Sequence, residues 1–489
     1  MGGWFSSPST MREHTIVSAP GKVLLAGGYL VLDRLYTGLV VATSSRFFAS
    51  VRPTTDPCPS GTARVRVRAG QFPASPMWSY TVSESGVEGC DAPSQKNKFI
   101  FLALDNVLRY VQAKLHVTGR DGDFERLMGG GLDVVVLADN DFYTQREQLA
   151  AAGLPARLES LASLTPFCSL PRPIQQTNKT GLGSSAALVT SLVAGILSHL
   201  GLVDVATPEG VDIIHSLAQA AHCLAQGKVG SGFDVASAVY GTHVYRRFSP
   251  TVLEPLFAEF ERGEKGDAVY NVVHSGKWDQ EARPLRLPRG LRLMLADVDA
   301  GTDTPSFVGR VLKWRKENPE EALAQWTKLD EANRSLEHAL AALVELESLP
   351  EYEAEVRAAG KVKVANLKPG RVSSALQNLT AAIEAIRDGM RKMSESSQVP
   401  IEPPEQTRLL DACSALPGVL GGGVPGAGGY DAVWFLVVDE DSIANSVQDV
   451  WGSWTEMSVS PLSSKQSDGG LVLHSSADEV PGLAAALSR

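Results

Sequence analysis

Apolar positions in the first half of the chain follow two rhythms. Residues 63–68 alternate Ala and Val with Arg, the period of two that marks a strand with one wet face. Short apolar runs at 15–19 and 23–26 predict strands on either side of a break at Pro20-Gly21. Residues 39–51 predict a strand or one arm of a hairpin, and the valine run at 132–138 a buried strand. Between them Ile100, Leu104, Val107, Leu108 and Val111 recur at helical spacing, which predicts a helix over 97–115. Gly153, Pro155, Pro166 and Pro171 make 140–173 a long connection with at most one helix. Packed helices over 184–200 and 209–226 follow, and then a strand over 242–248.

The polar, charge-rich stretch 259–267 predicts a domain boundary, dividing the chain into units of 1–260 and 261–489. The second unit opens with a strand at 291–297. Long helical patterns come next, at 305–317, 319–348 and 372–393. A Ser/Glu/Pro-rich link at 394–404, a further helix and a strand at 431–438 complete the pattern. No internal repeat is evident. Strands and helices mix without a regular βαβ rhythm, so the expected fold class is α+β rather than a doubly wound sheet.

Composition then narrows the function. The 489 residues carry a net charge of −10 with no long Lys/Arg block, which argues against a nucleic-acid partner. Five cysteines (58, 90, 168, 223, 413) are widely spaced and form no Cys-x-x-Cys pair. That pattern argues against a disulfide framework and a structural zinc site, and fits a reducing, cytoplasmic compartment. The longest apolar stretch, 186–200, is broken by Thr190, Ser191, Ser198 and His199 and falls short of the roughly 20 residues a membrane span needs. Residues 1–12 lack the apolar segment of a secretory signal. Met1-Gly2 with Ser6 fits a loose acylation pattern, but no basic patch follows, so no membrane anchor is expected. No obligate protein partner is evident.

The 45 glycines matter for where they sit. Three segments gather them: residues 18–29 (SAPGKVLLAGGY), 179–187 (KTGLGSSAA) and 421–431 (GGGVPGAGGYD). In the second, Gly181 and Gly183 permit left-handed backbone that turns successive N–H groups toward one point. Ser184 is a good N-cap for the helix that follows. A glycine turn feeding a helix N-terminus suits phosphate, and its serine hydroxyls suit phosphate or Mg²⁺. A dinucleotide fingerprint, G-x-G-x-x-A at 181–186, is excluded because residues 171–178 (PRPIQQTN) cannot be a central strand. A Walker loop is excluded because no Gly-Lys-Ser/Thr closes the motif. For one such segment a ligand-free helix cap explains the residues equally well. Three in one chain favour phosphate.

In order and spacing the three segments resemble the three motifs of the GHMP kinases, a family named for galactose, homoserine, mevalonate and phosphomevalonate. Residues 226–234 (QGKVGSGFD) and 425–431 (PGAGGYD) are most similar to its eukaryotic, fungal-type phosphomevalonate kinase branch. The resemblance implies an N-terminal domain like domain 2 of ribosomal protein S5, a ferredoxin-like C-terminal domain and ATP between them. It implies transfer from ATP, with Mg²⁺, to 5-phosphomevalonate, giving 5-diphosphomevalonate and ADP. Two other readings remain: a family member acting on an alcohol such as mevalonate, or an inactive ligand sensor.

The resemblance also assigns residues. Lys22 and Asp234 match the catalytic pair. Lys179, Gly181, Leu182, Gly183, Ser184, Ser185 and Ala186 match the ATP site, with Ser184 and Ser185 as Mg²⁺ ligands. Tyr29, Lys228, Ser231, Thr304, Ser306 and Gly428 are the candidate acceptor contacts. Capping of the helix at 305–317 accounts for Thr304 and Ser306 as well as phosphate binding does. Lys179, Lys228, Arg246 and Arg247 are candidates to screen an acceptor phosphate, and Arg310 and Lys313 lie further along the 305–317 helix. Mevalonate kinase-like members carry a metal-binding glutamate about three turns before the catalytic Asp. Here the corresponding stretch, 222–226 (HCLAQ), has no acid. A phosphomonoester with a second pKa of about 6 is mostly dianionic near neutrality, so cations matter more than base strength for such an acceptor. On a chain of net charge −10 that attraction has to be local.

Overall fold

The computed structural model describes residues 12–54, 58–72, 76–83, 86–90, 97–298 and 304–489. Met1-Gly2 with Ser6, and the side chain of Thr304, fall outside what is described.

Two antiparallel-rich sheets form the framework. The main path of the first runs Val472–His474, Thr15–Ala26, Gly38–Pro53, Gly131–Ala138, Thr62–Arg68, Met77–Ser83, Gly86–Cys90. Thr62–Arg68 shows the alternation expected of it, with Ala63, Val65 and Val67 buried and the arginines half-exposed. Thr15–Ala26 is buried along nearly its whole length because strands lie on both sides and helices cover it. It does not break at Pro20-Gly21, as the sequence suggested; one strand continues through a register shift between Pro20 and Lys22.

Helix Ser184–His199 packs on the two longest strands, Thr15–Ala26 and Gly38–Pro53. It is buried on almost every face, which accounts for its continuous apolar run. Helices Lys98–Val117 and Pro208–Gln226 pack beside it. The connection 140–173 holds two short helices, Arg146–Ala151 and Leu158–Ala162, where at most one was expected. Its prolines shorten helices there without abolishing them.

The second sheet has the order Val419–Gly423, Ala432–Val438, Leu291–Asp297, Ser460–Leu462, all antiparallel. With its intervening helices this is a ferredoxin-like arrangement. The long helices Pro319–Leu346 and Arg371–Ser397 pack on each other, and the latter covers Val419–Gly423.

The expected division at residue 260 is crossed by the first sheet. Strands Glu281–Pro284, Gln466–Ser467 and Val472–His474 all join it from beyond that point. Glu259, in the charge-rich stretch read as a boundary, is buried and paired with Arg109. The chain returns over Asp141, whose carboxylate accepts from the Ser463 N–H at 3.0 Å and its hydroxyl at 2.7 Å.

Candidate active site

The site begins at the irregularity in Thr15–Ala26. A side chain on Gly21 would put its Cβ 2.8 Å from Thr43 Oγ1 and 3.0 Å from the Leu182 carbonyl. Glycine there lets the second motif dock directly on the first, and the Lys22 N–H closes the contact by donating to Leu182 O at 2.9 Å. Lys22 is half-buried, and its Nζ donates to Gly181 O at 2.7 Å. Loss of hydration holds its pKa below the ordinary lysine value, opposed by the carboxylates of Asp234 and Asp431.

Gly183 has φ +79°, and an added Cβ would lie 3.0 Å from Lys22 Cε and 3.2 Å from its Cγ. Glycine is therefore needed twice over, for the left-handed turn and for the passage of the lysine stem. Gly183, not Ser184, occupies the cap position, and no side chain caps the helix that starts at Ser184. A residue with no side-chain oxygen stands where a capping hydroxyl would otherwise occupy the N–H groups. The dipole end of a 16-residue helix is thus free of a side-chain cap and lies beside a lysine.

Asp234 reaches the same seam from helix Phe233–Tyr240, entered through a left-handed Gly232. Its Oδ1 accepts from the Val235 N–H at 2.9 Å, and its Oδ2 stands 3.8 Å from His222 Nε2. The Phe233 ring lies 5.5 Å from Lys22 Nζ. The loop before it is pinned from behind: Tyr245 donates to Ser231 O at 2.8 Å, and Arg247 donates to Leu32 O, Val229 O and Gly230 O.

Arg247 is therefore a loop anchor, not a screen for acceptor phosphate. Arg246 likewise pairs with Glu281 at 3.0 Å and donates to Arg34 O at 2.8 Å. Both face backbone or carboxylate because the strand His243–Arg246 ends beside those elements. Lys179 and Lys228 are exposed, on the approaches to the second motif and to the Asp234 loop. Leu182 and Ala186 are buried beneath the turn.

The third motif closes on the first. Tyr29 is buried and donates to Ala427 O at 2.7 Å, while the Gly426 N–H donates to Leu24 O at 3.4 Å. Gly428 sits against the Ile401 carbonyl, with no room for a Cβ. Of the two residues read from sequence as acceptor contacts, Tyr29 joins the first motif to the third, and Gly428 packs the third motif against Ile401. Ser306 is exposed in the first turn of Thr304–Glu317. The far end of that helix is clamped to the loop after motif one by Arg315, which pairs with Asp33 at 2.5 Å and lies 3.9 Å from the Trp326 ring centroid.

Sequence reasoning missed His222, Asp431 and the Asp33–Arg315 clamp. His222 carried a weak signal, one turn before the 227–232 loop. On a mostly apolar helix it reads as an ordinary core residue.

Comparison with known proteins agrees with this geometry. Residues 169–242 match the model of the GHMP kinases N-terminal domain, and residues 375–453 that of the GHMP kinases C-terminal domain. The chain is 37% identical over 496 residues to the peroxisomal phosphomevalonate kinase of Arabidopsis thaliana, covering 94% of this chain and 96% of that one. It is also 37% identical over 478 residues to a phosphomevalonate kinase of Aspergillus fumigatus, covering 90% of each. Among solved structures, the phosphomevalonate kinase of Streptococcus pneumoniae in complex with phosphomevalonate and AMPPNP shares the fold, with TM-score 0.55 and 15% identity over 92% of this chain and 99% of that chain. With three motifs meeting at one seam, both domain models matched and relatives alike over nearly their whole length, the chain belongs to the GHMP kinase family.

Proposed function

We propose that this protein is a phosphomevalonate kinase, transferring the γ-phosphoryl group of ATP to 5-phosphomevalonate. The observation that carries the transfer chemistry is the uncapped helix end at Gly183–Ser184 meeting Lys22 and Asp234. The choice of acceptor is supported by the relatives in Arabidopsis and Aspergillus.

Backbone N–H groups of 183–186 receive the nucleotide phosphates. An oxygen of the acceptor phosphate attacks the γ-phosphorus in line; the new O–P bond forms as the bond to the β-bridging oxygen breaks, and ADP leaves with that electron pair. A dianionic acceptor has no proton to lose, so Asp234 serves to orient groups rather than as a strong base. Lys22 offsets the charge where two anions meet, in a partly dehydrated setting that strengthens its effect.

The hydroxyls of Ser184 and Ser185 and the Asp234 carboxylate supply hard oxygen donors suited to Mg²⁺. Among the described residues no cluster of three or more His, Cys, Asp or Glu could hold a metal by itself. That donor set fits a cation arriving on ATP phosphates, which it would partly neutralise. No helix among the described residues is long and apolar enough to cross a membrane. Cys58, Cys168, Cys223 and Cys413 are free thiols, consistent with the cytoplasmic setting we propose.

The deciding experiment is ADP release by the purified protein with mevalonate and 5-phosphomevalonate offered separately. Turnover on 5-phosphomevalonate with little on mevalonate is expected. Equal or faster turnover on mevalonate would overturn the acceptor, and ATP binding without turnover on either would make the protein a sensor.

A further inference from the structure

His222 takes no part in the transfer as described, yet it is one of the most enclosed polar side chains near the seam, 2% exposed. Its Nε2 lies 3.0 Å from Ser185 Oγ, 3.5 Å from Gln226 Nε2 and 3.8 Å from Asp234 Oδ2. The ring is seated against Phe99, with centroids 5.6 Å apart. Three side chains from three different helices therefore converge on one nitrogen: Ser185 from Ser184–His199, Gln226 from the imidazole's own helix, and Asp234 from Phe233–Tyr240. Only Ser185 and Asp234 also belong to the transfer site.

We propose that His222 is a positioning residue that holds the Ser185 hydroxyl in one orientation at the transfer site, beside the Asp234 carboxylate. The inference rests on the kinase reading above. A neutral imidazole accepts at one ring nitrogen. With a hydroxyl and a carboxamide donor at Nε2, that nitrogen is the acceptor, and the Ser185 hydroxyl hydrogen is directed to it. Ser185 is then left with lone pairs only, so it meets a cation rather than a phosphate oxygen. The link also adds no charge. A carboxylate at 222 would place a second acid beside Asp234, on the path of an acceptor that already carries two negative charges.

Three substitutions separate positioning from mere packing: His222→Gln, His222→Leu and His222→Glu. For each, kcat, the two KM values, ATP affinity by calorimetry and the melting temperature are measured. His222→Leu should lower kcat at least tenfold while KM for ATP and the melting temperature stay close to wild type. His222→Gln, which keeps an acceptor at that depth, should recover kcat to within about threefold. His222→Glu should raise KM for the phosphorylated acceptor at least tenfold, more than KM for ATP, and added salt should shrink that rise. A folded His222→Leu with kcat within twofold of wild type would overturn the proposal. So would a His222→Glu variant with unchanged acceptor KM. If Leu fails to fold, the Gln and Glu pair decides alone. Absence of turnover on 5-phosphomevalonate by the wild-type protein would sink the functional reading instead, which is a separate result.

Discussion

Lys22 is held by contacts that only a glycine at 183 allows. Replacing it with Met removes the charge that, on the proposed function, offsets two approaching phosphates, but keeps most of the stem. Lys22→Met should lower kcat by about a thousandfold or more, the size of loss seen when a preorganised electrostatic donor is removed. The melting temperature should change little; near-normal kcat in a folded variant would refute the assignment. Gly183→Ala asks whether the turn matters. At φ +79° an alanine costs about 1–2 kcal/mol, and its Cβ would crowd the Lys22 stem. Lower stability in urea together with reduced kcat is expected. The glycines of this turn were legible in the sequence because left-handed backbone is a local demand. That Gly183 rather than Ser184 stands at the cap was not, since propensity ranks serine above glycine there and ligand access decides otherwise.

Element by element, helices were easier to read than their junctions. The apolar spacing located Lys98–Val117, Ser184–His199 and Pro208–Gln226 to within a few residues. Arg371–Ser397 also hides a buried charge that no pattern announces. Arg387 is 3% exposed and donates to both carboxylate oxygens of Glu402, at 2.8 and 3.2 Å, and to Asp411 at 2.8 Å. Glu402 lies just past the helix, in a stretch that composition marked only as a Ser/Glu/Pro-rich link. Arg387→Met would leave Glu402 buried with a weakened set of partners, and should cost about 3–5 kcal/mol in urea unfolding. Adding Glu402→Leu should restore much of that loss, because the uncompensated charge is then gone. A double variant no more stable than the single one would show that the arginine contributes by packing instead.

Across the whole molecule, buried imidazoles govern the response to acid. His199, His215 and His243 are almost fully buried, and burial pushes their pKa values down to about 4, 3 and 4. Each is lower folded than unfolded, so unfolding takes up a proton, and the stability present near pH 7 is lost as pH falls below about 6.5. Asp139 acts in the opposite sense: burial raises its carboxyl to about 7, so it gives up a proton on unfolding. From these four groups alone the net uptake near pH 5 is about two protons, each worth about 1.4 kcal/mol per pH unit. His14, His222, His274 and His474, also held low by burial, act in the same direction. Urea midpoints measured at pH 6 and pH 5 should fall by clearly more than a single proton would give. A flat profile would mean the imidazoles are hydrated in solution.

The sequence by itself determined the glycine turn at 181–183, the main helices, the wet and dry faces of the strands and the family. All of these are written in neighbouring residues, because glycine conformations, caps and apolar periods act over a few positions. Tertiary structure decided the rest. It carried strands from beyond residue 460 back into the first sheet. It turned Arg246 and Arg247 from phosphate candidates into anchors, and made Tyr29 a bond between motifs. It also brought His222 to Ser185 across 37 residues. A charge or hydroxyl acquires its role from whatever faces it. For these side chains the facing group lies on another element, tens or hundreds of residues away, where no local pattern can register it.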